Sequence, residues 1–115
     1  MTLGQKQRLF AQLVGTLIAH AYTLGYELTF GEAWRSPETA RAYAVQGKGI
    51  ANSLHTKRLA VDLNLFRDGV YLTRSADYAT LGAYWKGLHE LARWGGDFSS
   101  RPDGNHFSLE HEGVR

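Results

Sequence analysis

The apolar positions near the start of the chain follow a helical period. Between Gln5 and Leu24 they recur at spacings of three and four residues, the spacing of one buried helical face. Gly25 comes next and suits the end of such a helix. We therefore predict a core helix here. Its inward face consists of Leu9, Phe10, Leu13, Val14, Leu17, Ile18 and Ala21.

After this helix the period changes to two. Residues 26–34 alternate apolar and polar side chains, which predicts a half-buried first strand. Ser36 can cap a helix, and Pro37 suits the first helical position. Gly47 offers a left-handed end. These signals predict a short second helix between Pro37 and Gly47.

The middle of the chain carries the signal for a hairpin. Residues 59–66 alternate again and predict a second strand. The pair Asp68 and Gly69 follows it, and an Asp-Gly pair strongly favours a two-residue turn between antiparallel strands. We therefore predict a third strand at 70–73.

The last part of the chain combines a helix and a strand. A third helix is predicted at 76–92, with Ser75 as its cap and with Gly95 and Gly96 stopping it. Residues 106–111 alternate once more and predict the last strand. The order of these elements predicts an α+β fold, in which a small antiparallel sheet of about four strands packs with three helices.

The second strand carries a carboxylate inside an otherwise apolar run. Successive side chains of a strand point to opposite faces, so Asp62 points away from the core. By the same parity His106, Ser108 and Glu110 share one face of the last strand. Two strands thus each offer a polar face that is suited to a metal site. The core side of the second strand consists of Leu59, Val61, Leu63 and Leu65.

Composition limits the chemistry of such a site. The chain has 115 residues, of which 43% are hydrophobic and 21% are charged, so residues 1–115 are expected to form a single domain. It has no cysteine, which excludes disulfides, thiolate metal sites and a cysteine nucleophile. Any metal must therefore be held by histidines and carboxylates.

Charge and hydropathy limit the partners. No segment has the roughly 18 to 20 apolar residues of a membrane span, so we expect a protein made in the cytoplasm without a signal peptide or stable membrane insertion. The net charge of +2 weakly favours an anionic partner such as a cell envelope. Because the chain lacks a basic cluster, a nucleic-acid partner is not expected.

Four side chains have the chemistry of a catalytic zinc site. Such a site usually takes three protein ligands and keeps a fourth position for water, and His55, Asp62 and His106 would suffice. Asp103 is close enough in sequence to act as a general base. The residues alone leave other interpretations open, because a histidine before a strand is often a loop residue. Asp103 also begins an Asp-Gly-Asn sequence that is typical of ordinary turns.

Three stretches together resemble a known family. "SLHTKRLAVDLN" at 53–64 and "WGGDFSSRPDGNHF" at 94–107 resemble the zinc peptidases of family M15, which cut bacterial cell-wall peptides. That group contains D-alanyl-D-alanine carboxypeptidases and dipeptidases and the phage L-alanyl-D-glutamate endolysins. Its pattern is Ser-x-His, an Asp seven residues later, and an acidic residue three before a second His. "WRSPETARAY" at 34–43 resembles the family's upstream Arg-Ser-x-Glu segment, so the resemblance covers about residues 30–107.

The resemblance implies a role for each matching residue. His55, Asp62 and His106 would be the zinc ligands, and Asp103 would be the catalytic base. Arg35 would contact the substrate carbonyl and the oxyanion formed from it.

Other residues have two interpretations. Ser53 would help to hold the peptide, but it is equally suited to a turn. Without the resemblance, an ion pair with Glu38 at the start of a helix also explains Arg35. Trp94 suits a core position or a cleft wall, and Glu110 suits a supporting contact or solvent.

The chain departs from the family pattern at three places. Arg58 stands where family members commonly have glycine, so the loop there is expected to differ. Aspartate at 103 replaces the glutamate of many members and resembles the phage endopeptidase branch. Glu-Ala-Trp at 32–34 differs from the usual residues before the arginine.

The resemblance implies a zinc-dependent, endolysin-like peptidoglycan peptidase that cuts the L-Ala-D-Glu bond of a stem peptide. A monomeric phage lysin of this kind would collect in the host cytoplasm and reach the wall after the membrane is permeabilised. The alternatives are a D-Ala-D-Ala dipeptidase or carboxypeptidase and a non-catalytic binding domain that zinc stabilises.

Overall fold

The computed structural model describes residues 1–115 and contains three α-helices and five β-strands. Short 3-10 helices lie at Leu54–Lys57, Ser75–Tyr78 and Gly95–Asp97. The predicted α+β fold with a small antiparallel sheet is confirmed. None of the helices is long and apolar enough to cross a membrane. The main elements are α1 (Leu3–Thr23), β1 (Glu27–Phe30), α2 (Pro37–Val45), β2 (Ala60–Arg67), β3 (Val70–Leu72), α3 (Ala79–Leu88), β4 (Ala92–Trp94) and β5 (His106–Leu109).

Strand β2 is the centre of the sheet. The strand order is β1-β2-β5-β4, every pairing is antiparallel, and β3 also pairs with β2. The first half of β2 pairs with β5, and the second half pairs with β3. The hairpin between β2 and β3 turns at Asp68 and Gly69, both with positive φ (52° and 78°), as the Asp-Gly signal predicts.

The core lies between the sheet and the helices α1 and α3. Leu63 and Leu65 of β2 are buried, whereas Asp62 and Asn64 between them are only partly buried, which confirms the predicted parity. Trp85 of α3 is fully buried against this face. Its indole Nε1 donates to the carbonyl oxygens of Arg93 (2.9 Å) and Ser108 (3.1 Å), so α3 is tied to β4 and β5.

The prediction that the third helix extends to residue 92 is wrong. Helix α3 ends at Leu88, and the backbone at His89 is extended (φ −161°, ψ 150°). Ala92 and Trp94 then pair with Leu109 and Phe107 of β5. The local spacing of apolar residues fits a helix as well as it fits this strand, and the open edge of β5 decides between them.

The first and last strands are shorter than predicted, and the predicted cap of the third helix is wrong. Strand β1 ends at Phe30, but the chain stays beside β2, because Gly31 N donates to Asp62 O (2.8 Å) and Asp62 N donates to Glu32 O (2.9 Å). Ser75 does not cap a helix. Its hydroxyl instead accepts a hydrogen bond from Gly104 N (3.0 Å), in the turn that precedes β5.

Candidate metal centre

The register of two strands brings the first two candidate ligands together. Asp62 of β2 lies directly opposite His106 of β5. Directly opposite residues of an antiparallel pair share a face, with Cβ atoms about 4.5–5.5 Å apart. Asp62 Oδ1 and His106 Nδ1 are 3.4 Å apart. The core side of each strand thus fixes the polar pair on the other side.

His55 reaches the same point from a short 3-10 helix in front of β2. Ser53 caps this helix by accepting a hydrogen bond from His55 N (3.3 Å). Arg58 then turns the chain into β2 with a left-handed backbone (φ 55°), a conformation that glycine adopts more easily. The loop therefore keeps a glycine-like backbone at the position where the resembled family commonly has glycine. His55 is buried, and its Nε2 lies 3.3 Å from Asp62 Oδ1.

The three side chains fit a tetrahedral metal site. Their ligand atoms all lie within 4.8 Å of one another, and Asp62 Oδ1 is buried without accepting a hydrogen bond. Zinc holds such ligands at about 2.0–2.1 Å, so two of them around a tetrahedral ion lie roughly 3.3 Å apart. The separations of 3.3 and 3.4 Å match this value. A buried, unpartnered oxygen between two ring nitrogens is what a cation would satisfy.

The two carboxyl groups near this point have opposite pKa shifts. Burial raises the pKa of Asp62, but the neighbouring His106 and His55 outweigh burial and lower it to about 2. For Asp103, partial desolvation of the carboxyl raises the pKa, and the negative charge of Asp62 raises it further. Asp62 is therefore a permanent carboxylate at neutral pH, while Asp103 holds a proton more readily.

Glu32 pairs with Arg35 and lies beside His55, a position that the sequence pattern did not predict. Its Oε1 lies 3.8 Å from His55 Nδ1, the ring nitrogen that does not face Asp62. The same oxygen accepts a hydrogen bond from Arg35 Nε (2.8 Å). Metal-binding histidines usually present their second nitrogen to such a group. The available signal was an acidic residue just beyond a strand that pairs with the strand of Asp62.

Arg35 is held beside the centre by contacts other than the predicted one. The alternative of an ion pair with Glu38 is wrong, because Glu38 pairs with Arg41 (3.7 Å) and Arg35 pairs with Glu32. The guanidinium carbon of Arg35 also lies 5.0 Å from the centre of the Tyr43 ring. These contacts fix the guanidinium on the wall of the cleft.

All the residues singled out by the family pattern line one cleft of about 620 Å³. Ser53 is buried at its edge, so its hydroxyl both caps the helix of His55 and lies in the cleft wall. Asp103 is exposed at the rim. The six residues are Arg35, Ser53, His55, Asp62, Asp103 and His106.

The turn that carries Asp103 is anchored to its surroundings. Asp103 N donates to Gly95 O (2.9 Å), and His106 N donates to Asp103 O (3.1 Å). A Cβ atom at Gly95 would lie 2.1 Å from Asp103 O, so only glycine fits there. Trp94 donates from Nε1 to Gly104 O (2.7 Å). This turn is ordinary in sequence, but it is fixed relative to the candidate ligands.

Trp94 and Glu110 lie outside the cleft. The Trp94 ring packs so closely on Gly82 and Gly96 that a Cβ atom at either glycine would lie 2.2 Å from it. Glu110 accepts hydrogen bonds from Arg93 and Arg115 (3.2 Å each) and contacts none of the candidate ligands. Trp94 is therefore a packing residue beneath the turn, and Glu110 is an ion-pair partner.

Comparison with known proteins identifies the family. The sequence model of a family described as D-alanyl-D-alanine carboxypeptidase matches residues 46–109, more than half of the chain. The chain belongs to peptidase family M15. The resemblance noted in the sequence is thus confirmed at the level of the family, whose members are zinc-dependent metallopeptidases. No curated protein sequence matches the chain.

Two solved structures show the same fold as this M15 chain. The L-Ala D-Glu endopeptidase ChiX of Serratia marcescens is 24% identical, with a TM-score of 0.70 over 87% of this chain and 79% of that one. The vancomycin resistance D,D-pentapeptidase VanY, solved as an E175A mutant in complex with Zn(II), is 16% identical. Its TM-score is 0.59 over 87% of this chain and 70% of that one.

The first prediction concerns the metal. We expect the purified M15 chain to carry about one zinc ion, and His55→Ala or His106→Ala to lose it because each removes one of three ligands. Metal content by atomic absorption tests this. His20→Ala is the matched control, since His20 stacks on Tyr84 away from the cleft. Full zinc content in both ligand variants would refute the assignment.

The second prediction concerns Glu32. Glu32→Gln keeps the size of the side chain but removes the charge that faces His55 and Arg35. We expect zinc affinity to fall about 10- to 100-fold, measured by competition with a chelator. Glu38→Gln is the control, because that carboxylate pairs with Arg41 on the exposed side of α2. Equal zinc affinity in the two variants would show that Glu32 does not support the centre.

Proposed function

We propose that this chain is a zinc-dependent peptidoglycan peptidase of the L-alanyl-D-glutamate type, with residues 1–115 acting as one peptidase domain. One observation carries the proposal. The ligand atoms of His55, Asp62 and His106 converge in the same cleft that Arg35 and Asp103 line. An M15 chain needs this combination in order to bind a peptide bond, polarise it and transfer a proton.

Each residue then has one task in hydrolysis. Zinc held by the three ligands would supply a Lewis acid that polarises the scissile carbonyl and makes water easier to deprotonate. Asp103 takes a proton from the attacking water and later gives it to the leaving amine. Arg35 stabilises the negative charge that develops on the carbonyl oxygen. Ser53 helps to hold the peptide at the edge of the cleft.

Two features favour an enzyme over a non-catalytic domain that zinc stabilises. Structural zinc sites usually have four protein ligands, whereas three side chains converge here and line an open cleft. The raised pKa of Asp103 also suits a group that must accept and then release a proton. A purely structural site needs neither feature.

The choice of bond has support on both sides. The chain is more similar in fold to the L-Ala D-Glu endopeptidase ChiX than to the D,D-pentapeptidase VanY. The matched family is described as D-alanyl-D-alanine carboxypeptidase, which favours the alternative, a D-Ala-D-Ala dipeptidase or carboxypeptidase. We propose the L-Ala-D-Glu bond because two features favour it. One is the aspartate at 103, which resembles the phage branch, and the other is the greater similarity in fold to ChiX.

The same aspartate supports an endolysin-like role. The protein would collect in the cytoplasm of the infected host and act on the bacterial wall after the membrane is permeabilised. Its substrate would then be the intact peptidoglycan layer.

The third prediction identifies the bond. Digestion of purified sacculi should release fragments with a new amino-terminal glutamate, which mass spectrometry after amine labelling detects. His106→Ala protein is the control for contaminating hydrolases. Release of D-alanine or D-Ala-D-Ala without cleavage of the stem peptide would establish the alternative bond.

The fourth prediction separates catalysis from metal binding. Asp103→Asn should keep zinc and thermal stability but slow hydrolysis by about 10² to 10⁴-fold, because the amide cannot take the proton. Asp97→Asn is the control, since Asp97 lies nearby but pairs with Lys86 (2.8 Å). If zinc content falls together with the rate, Asp103 is a ligand. If neither changes, Asp103 is only a turn residue.

A further inference from the structure

The cleft wall away from the candidate ligands is cationic. Only two of its fifteen lining residues are hydrophobic, and its only carboxylates are Asp62 and Asp103. Asp62 belongs to the candidate metal centre, so the net charge of the remaining wall is positive. A neutral or cationic peptide would gain little from such a wall. Its cationic residues are Arg35, Lys48, Arg101 and Arg115.

These cationic side chains differ in whether a carboxylate already pairs with them. Arg35 is paired with Glu32, and Arg115 lies 3.2 Å from Glu110. Lys48 has no ion-pair partner and its ammonium makes no hydrogen bond. Arg101 has no carboxylate partner either. The two uncompensated charges of the cleft are therefore Lys48 and Arg101.

A backbone contact brings these two residues together from different loops. Arg101 lies in the loop before β5, and its guanidinium donates to the carbonyl oxygen of Gly47, the residue before Lys48. The backbone of Lys48 is in turn fixed by a hydrogen bond from its N–H to Tyr43 O (2.8 Å). Lys48 and Arg101 line the same cleft, so an anion bound in this part of the cleft would be attracted by both positive charges.

We propose that Lys48 and Arg101 form a subsite for a free carboxylate of the substrate, separate from the scissile carbonyl. This inference rests on the proposed peptidase function and adds the substrate class to it, an acidic peptide. A carboxylate accepts charge-assisted hydrogen bonds from both an ammonium and a guanidinium. Arg35 and a zinc ion held by the three candidate ligands would act on the scissile group, so this second pair is available for another part of the peptide.

The subsite would bind the residue that follows the cut bond. A glutamyl residue after the cut bond has two carboxyl groups, and one stays free when the other continues the chain. Lys48 and Arg101 would bind this free carboxylate next to the cut bond. A D-Ala-D-Ala end also carries a free carboxylate on the residue after the cut bond, so the subsite fits both candidate bonds. Amidation of the glutamyl carboxylate would remove the charge without changing the shape of the peptide much.

Equilibrium binding of two product peptides tests the subsite without turnover. Both begin with D-glutamate, and one has its free side carboxylate amidated. We expect zinc-loaded protein to bind the acid about tenfold more tightly than the amide in calorimetry, since charged hydrogen bonds contribute that much. Lys48→Gln should abolish the difference, and Lys48→Arg should restore most of it. Arg8→Gln, which removes one exposed charge from α1, should leave the difference intact.

Equal binding of the acid and the amide, or an unchanged difference in Lys48→Gln, would overturn the subsite. A loss that Arg8→Gln reproduces would also overturn it, because it would reflect net charge alone. Turnover of the parent L-Ala-D-Glu peptides is measured separately with the same proteins. Absence of turnover would contradict the peptidase function, while the binding data would still decide the subsite.

Discussion

The pairing of Asp62 with His106 across β2 and β5 is the constraint on which the site depends. In this register Val61 and Leu63 point into the core and Asp62 points to the opposite face. A slip by one residue would exchange the two faces, bury the carboxylate among leucines and expose the aliphatic residues. Burial of the apolar face thus holds the candidate ligands in position, and the fold and the metal centre cannot vary independently.

Contacts around this pair hold two more groups beside it, the His55 ring and the turn of Asp103. His55 enters on a capped 3-10 helix, at the cost of a left-handed Arg58. The turn of Asp103 packs on Gly95 at a distance that only glycine allows. Such contacts leave little freedom to the groups that must meet a metal and a substrate, which lowers the reorganisation needed during the reaction. Gly95 is therefore part of what holds Asp103 in place.

Two carboxyl groups of one cleft are pushed in opposite directions by their environments. The histidines hold the pKa of Asp62 low, whereas desolvation and the charge of Asp62 raise the pKa of Asp103. This difference separates a group suited to binding a cation from one suited to moving a proton. Further from the metal centre, Glu32 pairs with Arg35 and also lies beside His55. The remaining cationic side chains of the cleft stay available for an acidic substrate. The cleft thus carries the Asp62 carboxylate at the metal centre and cationic side chains on its outer wall.

Features that depend on local chemistry could be predicted from the residues alone. Alternation predicted the two faces of β2, and the Asp-Gly pair predicted the hairpin. Ser36 and Pro37 predicted the start of α2. The spacing of His55, Asp62 and His106 indicated the family. The first three of these signals are local, because they depend on backbone geometry within a few residues, whereas the family signal spans about half of the chain.

Other features depend on contacts between distant parts of the chain. Residues 89–92 fit the third helix by spacing, yet the helix ends at Leu88, and Ala92 begins β4, which pairs with β5. The hydroxyl of Ser75 accepts a hydrogen bond from Gly104 N, a distant residue in the chain, instead of capping a helix. In each case the local sequence allowed two conformations, and a contact with a segment far away in the chain selected one. No pattern within either segment could have shown that choice.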